Sequence, residues 1–289
     1  MKVAIATDTN SSMTGREAAR KGVYLLPMPV MVDGRACLEG VDITNEQMYA
    51  AMKEHKEVFS SQPSPGQLLD FWQGIFRDGW DEVVYIPMSS GLSNSCSTAI
   101  QLAATCGGKV HVVDNHRISL TQAASVDSAL ALARQGKTAR EIKAWLEERA
   151  YDASIYITVD SMEYLKKGGR VTPAAAAFAT VLNLKPVLTI QGDKLDTYAK
   201  ARGMQQAEQK MVEALQQDRA TRFGAVPDAR LRVETAGTFE SEEQAARWRA
   251  LVQAAFPGIP VSYVHLPCSI ACHVGINAAG TGILKKEVG

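Results

Sequence analysis

The sequence predicts an α/β protein of two domains, the first built on a mainly parallel sheet with helices on both faces. Three observations predict it. Short apolar runs alternate with amphipathic stretches from Val3 to Arg134, the strand–helix–strand order that leads to parallel pairing with helices over the sheet. A second alternating set starts at Ser154. The length of 289 residues suits one large domain or two ordinary ones. The boundary falls near residue 155, giving domains 1–155 and 156–289. The linker there is short, so the halves are expected to pack together and leave a cleft between them.

Residues 3–6 form the first strand, ending at Asp8-Thr9-Asn10-Ser11-Ser12. Polar groups at the carboxyl end of a buried strand are where open α/β sheets bind ligands; equally, they cap a helix over residues 16–21. Residues 25–32 read as one edge strand that tolerates Pro27 and Pro29, and Asp33-Gly34 is a hairpin signal. Thr44 and Gln47 make a capping box that opens a helix to about Lys53. The loop Ser60-Ser61-Gln62-Pro63-Ser64-Pro65-Gly66 is stiffened by its prolines. Residues 67–76 are helical, with Leu68, Phe71, Trp72 and Ile75 on one face. A strand at 83–86 leads through a serine-rich turn to a helical pattern at 99–105. A strand at 110–113 and helices at 121–134 and 139–150 follow, the last opened by Thr138 with Glu141.

The second half begins with a strand at 154–159. A short helix from Glu163 ends at Gly168-Gly169, and Thr172-Pro173 caps a small-residue helix over 174–180. Strands at 185–190 and 195–199 flank the hairpin Gln191-Gly192-Asp193-Lys194. A helix (205–216), a strand (230–235), a helix (242–255) and a strand (261–264) complete the set. The segment from His273 to Gly282 reads as a glycine-rich loop leading to a last strand.

Composition narrows the function. Lys plus Arg and Asp plus Glu both number 31, so the formal net charge is zero, without the basic excess of nucleic-acid binders. No apolar run approaches the roughly 18 residues of a membrane span. The N-terminus reads as a strand and not as a signal peptide, since Asp8 interrupts it early. Five cysteines, an odd number, argue against a disulfide framework and fit a cytoplasmic protein.

The chemistry centres on Met88-Ser89-Ser90-Gly91-Leu92-Ser93-Asn94-Ser95. A hydroxyl-rich turn at a helix start presents N–H and O–H groups to an anion. The same residues nearly match the nucleophile elbow Gly-x-Ser-x-Gly, with Ser95 in place of the last glycine. Asp114 and His273 would complete a Ser93–Asp114–His273 hydrolase in the chain order of α/β-hydrolases. Plain turn and capping chemistry is the third reading. Ser60 and Ser61 add hydroxyls, or only a Ser-Pro turn. Cys268, Cys272 and His273 could suggest a metal, but Cys37, Cys96 and Cys106 are isolated and supply no second ligand pair, which favours buried core cysteines. Gly275, Gly280 and Gly282 lack Rossmann spacing, and no Walker pattern occurs, so the chain is not expected to be a nucleotide-binding kinase. Lys166-Lys167 and Arg170 form a basic loop, either solvated or a docking or anion site.

Taken together, these segments resemble the DegV family of bacterial fatty-acid-binding proteins. Asp8-Thr9-Asn10-Ser11-Ser12 is similar to its Asp-Ser-x-x-Asp start, and Ser60-Ser61-Gln62-Pro63-Ser64-Pro65 to its Thr-Ser-Gln-Pro-Ser-Pro loop. Ser89-Ser90-Gly91-Leu92-Ser93 looks like its Ser-Ser-Gly-Leu-Ser turn, and Glu163 to Arg170 and Leu184-Lys185-Pro186 fit as well. The order of motifs matches along the whole chain. The family's His-x-Gly-Pro-Gly reads His273-Val274-Gly275-Ile276-Asn277 here, keeping His273 and Gly275.

The resemblance implies a carrier and not an enzyme, without a cofactor. A single long-chain fatty acid would lie in a tunnel between the two domains. A separate ATP-dependent fatty-acid kinase would convert the bound acid to acyl phosphate for phospholipid metabolism. Carried over by motif, Ser61 and Ser93 would hold the carboxylate, with Ser60, Ser90 and Gly91 in the same two turns. His273 and Gly275 would join that network, and Arg170 and Arg202 would lie near the head group or the partner surface. The alanine-rich helix could border the tunnel or simply pack closely. About 14 methylenes at about 0.8 kcal/mol each give roughly 11 kcal/mol of gross burial, so the tail would supply affinity. The carboxylate would need strong hydrogen bonds to leave water. The alternatives are the Ser93–Asp114–His273 hydrolase and an anion-binding regulator using the same turn.

Overall fold

The computed structural model describes residues 1–177 and 184–286. The chain opens with β1 (Val3–Asp8) and α1 (Gly15–Lys21), whose first turn is closed by a Thr14–Glu17 capping box. β2 (Tyr24–Leu26) stops before Pro27. β3 (Pro29–Val32) turns into β4 (Arg35–Leu38) through Asp33 and Gly34, whose φ values of 47° and 78° match the primed turns that suit hairpins. α2 (Asn45–Lys53) carries the Thr44–Gln47 box. β5 (Val58–Ser60) leads to α3 (Pro65–Arg77), which Ser64 caps with Pro65 in its first turn. β6 (Glu82–Ile86), α4 (Asn94–Ala103), β7 (Val110–Val112), α5 (Ser119–Arg134) and α6 (Ala139–Glu148) follow.

The second half comprises β8 (Ala153–Thr158), α7 (Glu163–Gly168), α8 (Pro173–Ala177), β9 (Leu184–Ile190) and β10 (Asp196–Arg202). Then come α9 (Met204–Ala220), β11 (Leu231–Gly237), α10 (Glu242–Ala255), β12 (Val261–His265), α11 (Cys268–Val274) and β13 (Ala279–Lys285). Of the small-residue helix expected over 174–180, the part beyond 177 lies outside the described residues.

Three sheets result among the described residues. The first, β2-β1-β6-β7, is wholly parallel. Its strands bury both faces, as a parallel sheet requires. Ala4, Ala6, Val83 and Tyr85 pack on α3 and α4, while the alternate residues Ile5, Val84 and Ile86 pack on α5 and α6. The second sheet, β10-β9-β8-β13-β11-β12, is mixed, with only β11 and β12 parallel. One of its faces, including Tyr156, Val233 and Ile283, is covered by α9 and α10. The other, including Ile157, Leu188 and Ala236, meets Leu92 and Leu120 of the first lobe and Leu165, Ile270 and Val274 of α7 and α11. The third sheet, β4-β3-β5, is a small antiparallel one that packs with α2 on α11.

Three expectations need correction. Residues 25–32 are not one strand: Pro27 breaks them into β2, at the edge of the parallel sheet, and β3, in the small one. The helix after the serine turn starts at Asn94, five residues before 99. The glycine-rich tail is not a loop at its start, because His273 belongs to α11 and only residues 275–278 connect it to β13.

Candidate functional site

The face of the second sheet that α9 and α10 leave uncovered forms one wall of a cavity. Ile155, Ile157, Ile190 and Ala236 supply that wall. Met88, Leu92, Ile118 and Leu120 come from the first lobe, and Leu165, Ile270 and Val274 from α7 and α11. The cavity holds about 760 Å³ of space empty of protein atoms, its mouth included. Its lining has the make-up of small-molecule sites, apolar with a few placed polar groups. Here those groups are Ser60, Ser119, Arg170, Ser269, His273 and Thr281.

Ser60 and His273 form the centre of the polar part. Ser60 is the last residue of β5, which pairs with β3 and packs against α11. Its Oγ lies 2.7 Å from His273 Nε2. Burial, and then the positive charge of Arg170, hold the His273 imidazole down at about 4 from its usual 6.5. The ring is therefore neutral near pH 7, one nitrogen a donor and the other an acceptor. Gly168 lets the ring in: a Cβ there would stand 2.3 Å from His273 Nδ1. Arg170 donates from Nε to the Leu92 carbonyl at 3.3 Å, and from its guanidinium to the Gly168 carbonyl. It thereby ties the serine turn to the α7 end of the cavity.

α11 is anchored from beneath. Glu39, almost fully buried, accepts the Ser269 N–H at 2.7 Å in the first turn of α11, one helical turn before His273. Ser269 Oγ lies 2.9 Å from both Glu39 Oε1 and Asn10 Oδ1. Burial pushes the Glu39 carboxyl up to about 7 despite hydrogen bonds from Thr9 and Ser269. The polar end of β1, legible in the sequence, thus serves as a support for the helix that carries His273.

The other expected residues are placed as follows. Ser61 is exposed, donates to the Gln62 carbonyl at 3.3 Å, and lies outside the cavity lining that its neighbour Ser60 joins. Ser93 caps α4 by accepting the Ser95 N–H at 3.2 Å, and follows Leu92, which does line the cavity. The Ser90 N–H goes to Asp114 at 3.2 Å and the Gly91 N–H to Ser89 Oγ at 3.2 Å. Gly91 is pressed against the β9–β10 hairpin, where a Cβ would come within 2.5 Å of the Gly192 carbonyl. Gly275 ends α11 at a φ of 79°, and its carbonyl accepts from Thr238 at 2.7 Å. Arg202 is exposed at the end of edge strand β10, away from the lining.

Ser93, Asp114 and His273 do not form a triad. Among the described residues no hydrogen bond joins them; His273 Nε2 faces Ser60, and Asp114 takes the Ser90 N–H. Burial pushes the Cys268 and Cys272 thiols up to about 12, so both stay protonated. No group of three or more His, Cys, Asp or Glu among the described residues is arranged to hold a metal. Ser119 and Ser269 had no sequence signal: Ser119 sits at a φ of 52°, and Ser269 lies in a seven-residue helix too short to show periodicity.

A DegV domain-containing protein of Deinococcus radiodurans is 31% identical over 251 residues, 86% of this chain and 87% of that protein. A fatty-acid-binding DegV family protein from Thermus thermophilus superposes with a TM-score of 0.85 at 27% identity, over 99% of this chain and all of that one, 100%. A fatty-acid-binding DegV family protein from Streptococcus agalactiae gives a TM-score of 0.86 at 25% identity, over 99% and 100% of the two chains. The family described as uncharacterised proteins of the DegV family matches residues 2–286. By that match over nearly its whole length, the chain belongs to the DegV family.

Proposed function

We propose that this protein binds a single long-chain fatty acid between its two domains, 1–155 and 156–289. It then presents the carboxylate, in the cytoplasm, to a separate ATP-dependent fatty-acid kinase. The observation that carries this reading is one apolar cavity whose hydroxyl, imidazole and guanidinium groups gather where Ser60 meets His273 beside Arg170. The fatty-acid-binding relatives from Thermus thermophilus and Streptococcus agalactiae support it.

The tail enters the Ile/Leu-lined space and gains about 0.8 kcal/mol for each buried methylene. At the head, the Ser60 hydroxyl donates to a carboxylate oxygen while neutral His273 completes the network. Arg170 adds positive charge while two of its N–H groups stay on the Leu92 and Gly168 carbonyls. Ser93, whose hydroxyl accepts at the α4 cap, still has its own proton to donate. Hydroxyl donors satisfy the carboxylate without the bidentate guanidinium grip that would occupy both oxygens. One oxygen can then attack the γ-phosphorus of ATP held by the kinase, forming the acyl phosphate as the bond to the β–γ bridging oxygen breaks and ADP leaves.

Denaturing mass spectrometry of purified protein, with calorimetric titration of palmitate into delipidated protein, tests the binding. A copurified acyl chain or saturable palmitate binding is expected, and finding neither would overturn the reading. Acyl hydroxamate trapped after mixing loaded protein, ATP and the kinase tests presentation. A fluorophosphonate probe is expected to leave Ser93 unlabelled.

A further inference from the structure

Gly280 sits in β13, between β8 and β11 in the second sheet, and nothing in the protein itself requires a glycine there. Its φ lies outside the left-handed region. A Cβ built on it would meet nothing nearer than 3.8 Å, at the Ala236 Cβ and the Tyr156 carbonyl. A glycine inside a strand gives up side-chain packing and marks a place where something else approaches the backbone. Gly282, two residues on and on the same face, is different: there a Cβ would strike Leu120 Cδ1 at 2.9 Å and the Ser154 carbonyl at 2.9 Å. Leu120 fills the space over Gly282, whereas Gly280 lines the cavity between its ladder partners Ile157 and Ala236.

We infer that Gly280 is a specificity-determining residue for the tail of the ligand. Its missing side chain is the space in which a long acyl chain lies against the sheet, and this rests on the fatty-acid reading above. A side chain at 280 competes with tail methylenes for that space, so it lowers the longest chain the cavity accepts and leaves the head contacts unchanged. Each excluded methylene changes affinity about fourfold.

The test titrates laurate and stearate into delipidated wild type, Gly280→Ala, Gly280→Leu and Ser60→Ala, with thermal midpoints as the check on folding. Gly280→Leu is expected to lower the stearate-to-laurate affinity ratio by at least about tenfold, and Gly280→Ala by about fourfold. Ser60→Ala weakens both acids alike and leaves the ratio unchanged. Gly280→Ala meets only ordinary contacts and is expected to fold, so it decides the matter if the leucine variant does not. A ratio equal to that of wild type in the folded Gly280 variants overturns this inference alone. Wild type that binds neither acid overturns the fatty-acid reading, and this inference with it.

Discussion

His273 titrates against its surroundings, and that gives the molecule a pH signature. The unfolded chain takes up a proton near 6.5, whereas the folded site refuses it down to about 4. The ligand-free protein therefore loses stability as pH falls from 6.5 to 4. His273→Gln is expected to remove that loss, read as denaturant midpoints at pH 7 and 5. Glu39 acts in the opposite direction. Its folded value of about 7 lies above the ordinary 4.5, so its contribution is full below 4.5 and is lost as pH rises through 7. Glu39→Gln is expected to flatten the neutral side of the same curve. Ser60→Ala should weaken palmitate binding by about 1–3 kcal/mol, because a buried carboxylate and His273 lose a partner; calorimetry showing no change would remove Ser60 from the head site. The motif reading gave the carboxylate to Ser61, with Ser60 beside it; the structure ends β5 at Ser60, which pairs with Val30 and lines the cavity, and leaves Ser61 exposed just beyond the strand.

Among the elements, α11 was the least legible and carries the most. Its seven residues follow Pro267 and hold Ser269 and His273 one turn apart. Nothing in so short an apolar stretch distinguishes a helix from a loop, and it is fixed by Glu39 from a segment more than two hundred residues earlier. Longer elements were legible because their caps are local. Thr44–Gln47 and Thr138–Glu141 close their boxes as the spacing predicts. The start of α5 places Leu120 over Gly282. Leu120→Ala is expected to cost about 2–5 kcal/mol in denaturant unfolding, as a buried leucine truncation does.

For the whole molecule, the consequence is coupling. The cavity takes walls from the parallel sheet's loops and from the mixed sheet, so a ligand joins the two lobes. Palmitate at a hundred times its Kd should add about 2.7 kcal/mol. That raises the thermal midpoint of delipidated protein by roughly 4–5 °C, measurable by scanning calorimetry. The α/β class and the parallel first sheet followed from the alternation of apolar runs. The cavity did not, because it depends on pairings between strands far apart in the chain.

One such pairing governs the order in which the molecule can be made. β13 comes after every other described strand in the chain, yet it lies between β8 and β11. Until residues 279–285 leave the ribosome, both neighbours have a bare edge toward the gap and the wall that holds Gly280 is absent. On the fatty-acid reading proposed above, a nascent chain then has no place to keep a lipid. A chain arrested before residue 279 is expected to retain no fatty acid on ribosome-bound pull-down. On the same reading, proteolytic loss of β13 is expected to release the bound acid.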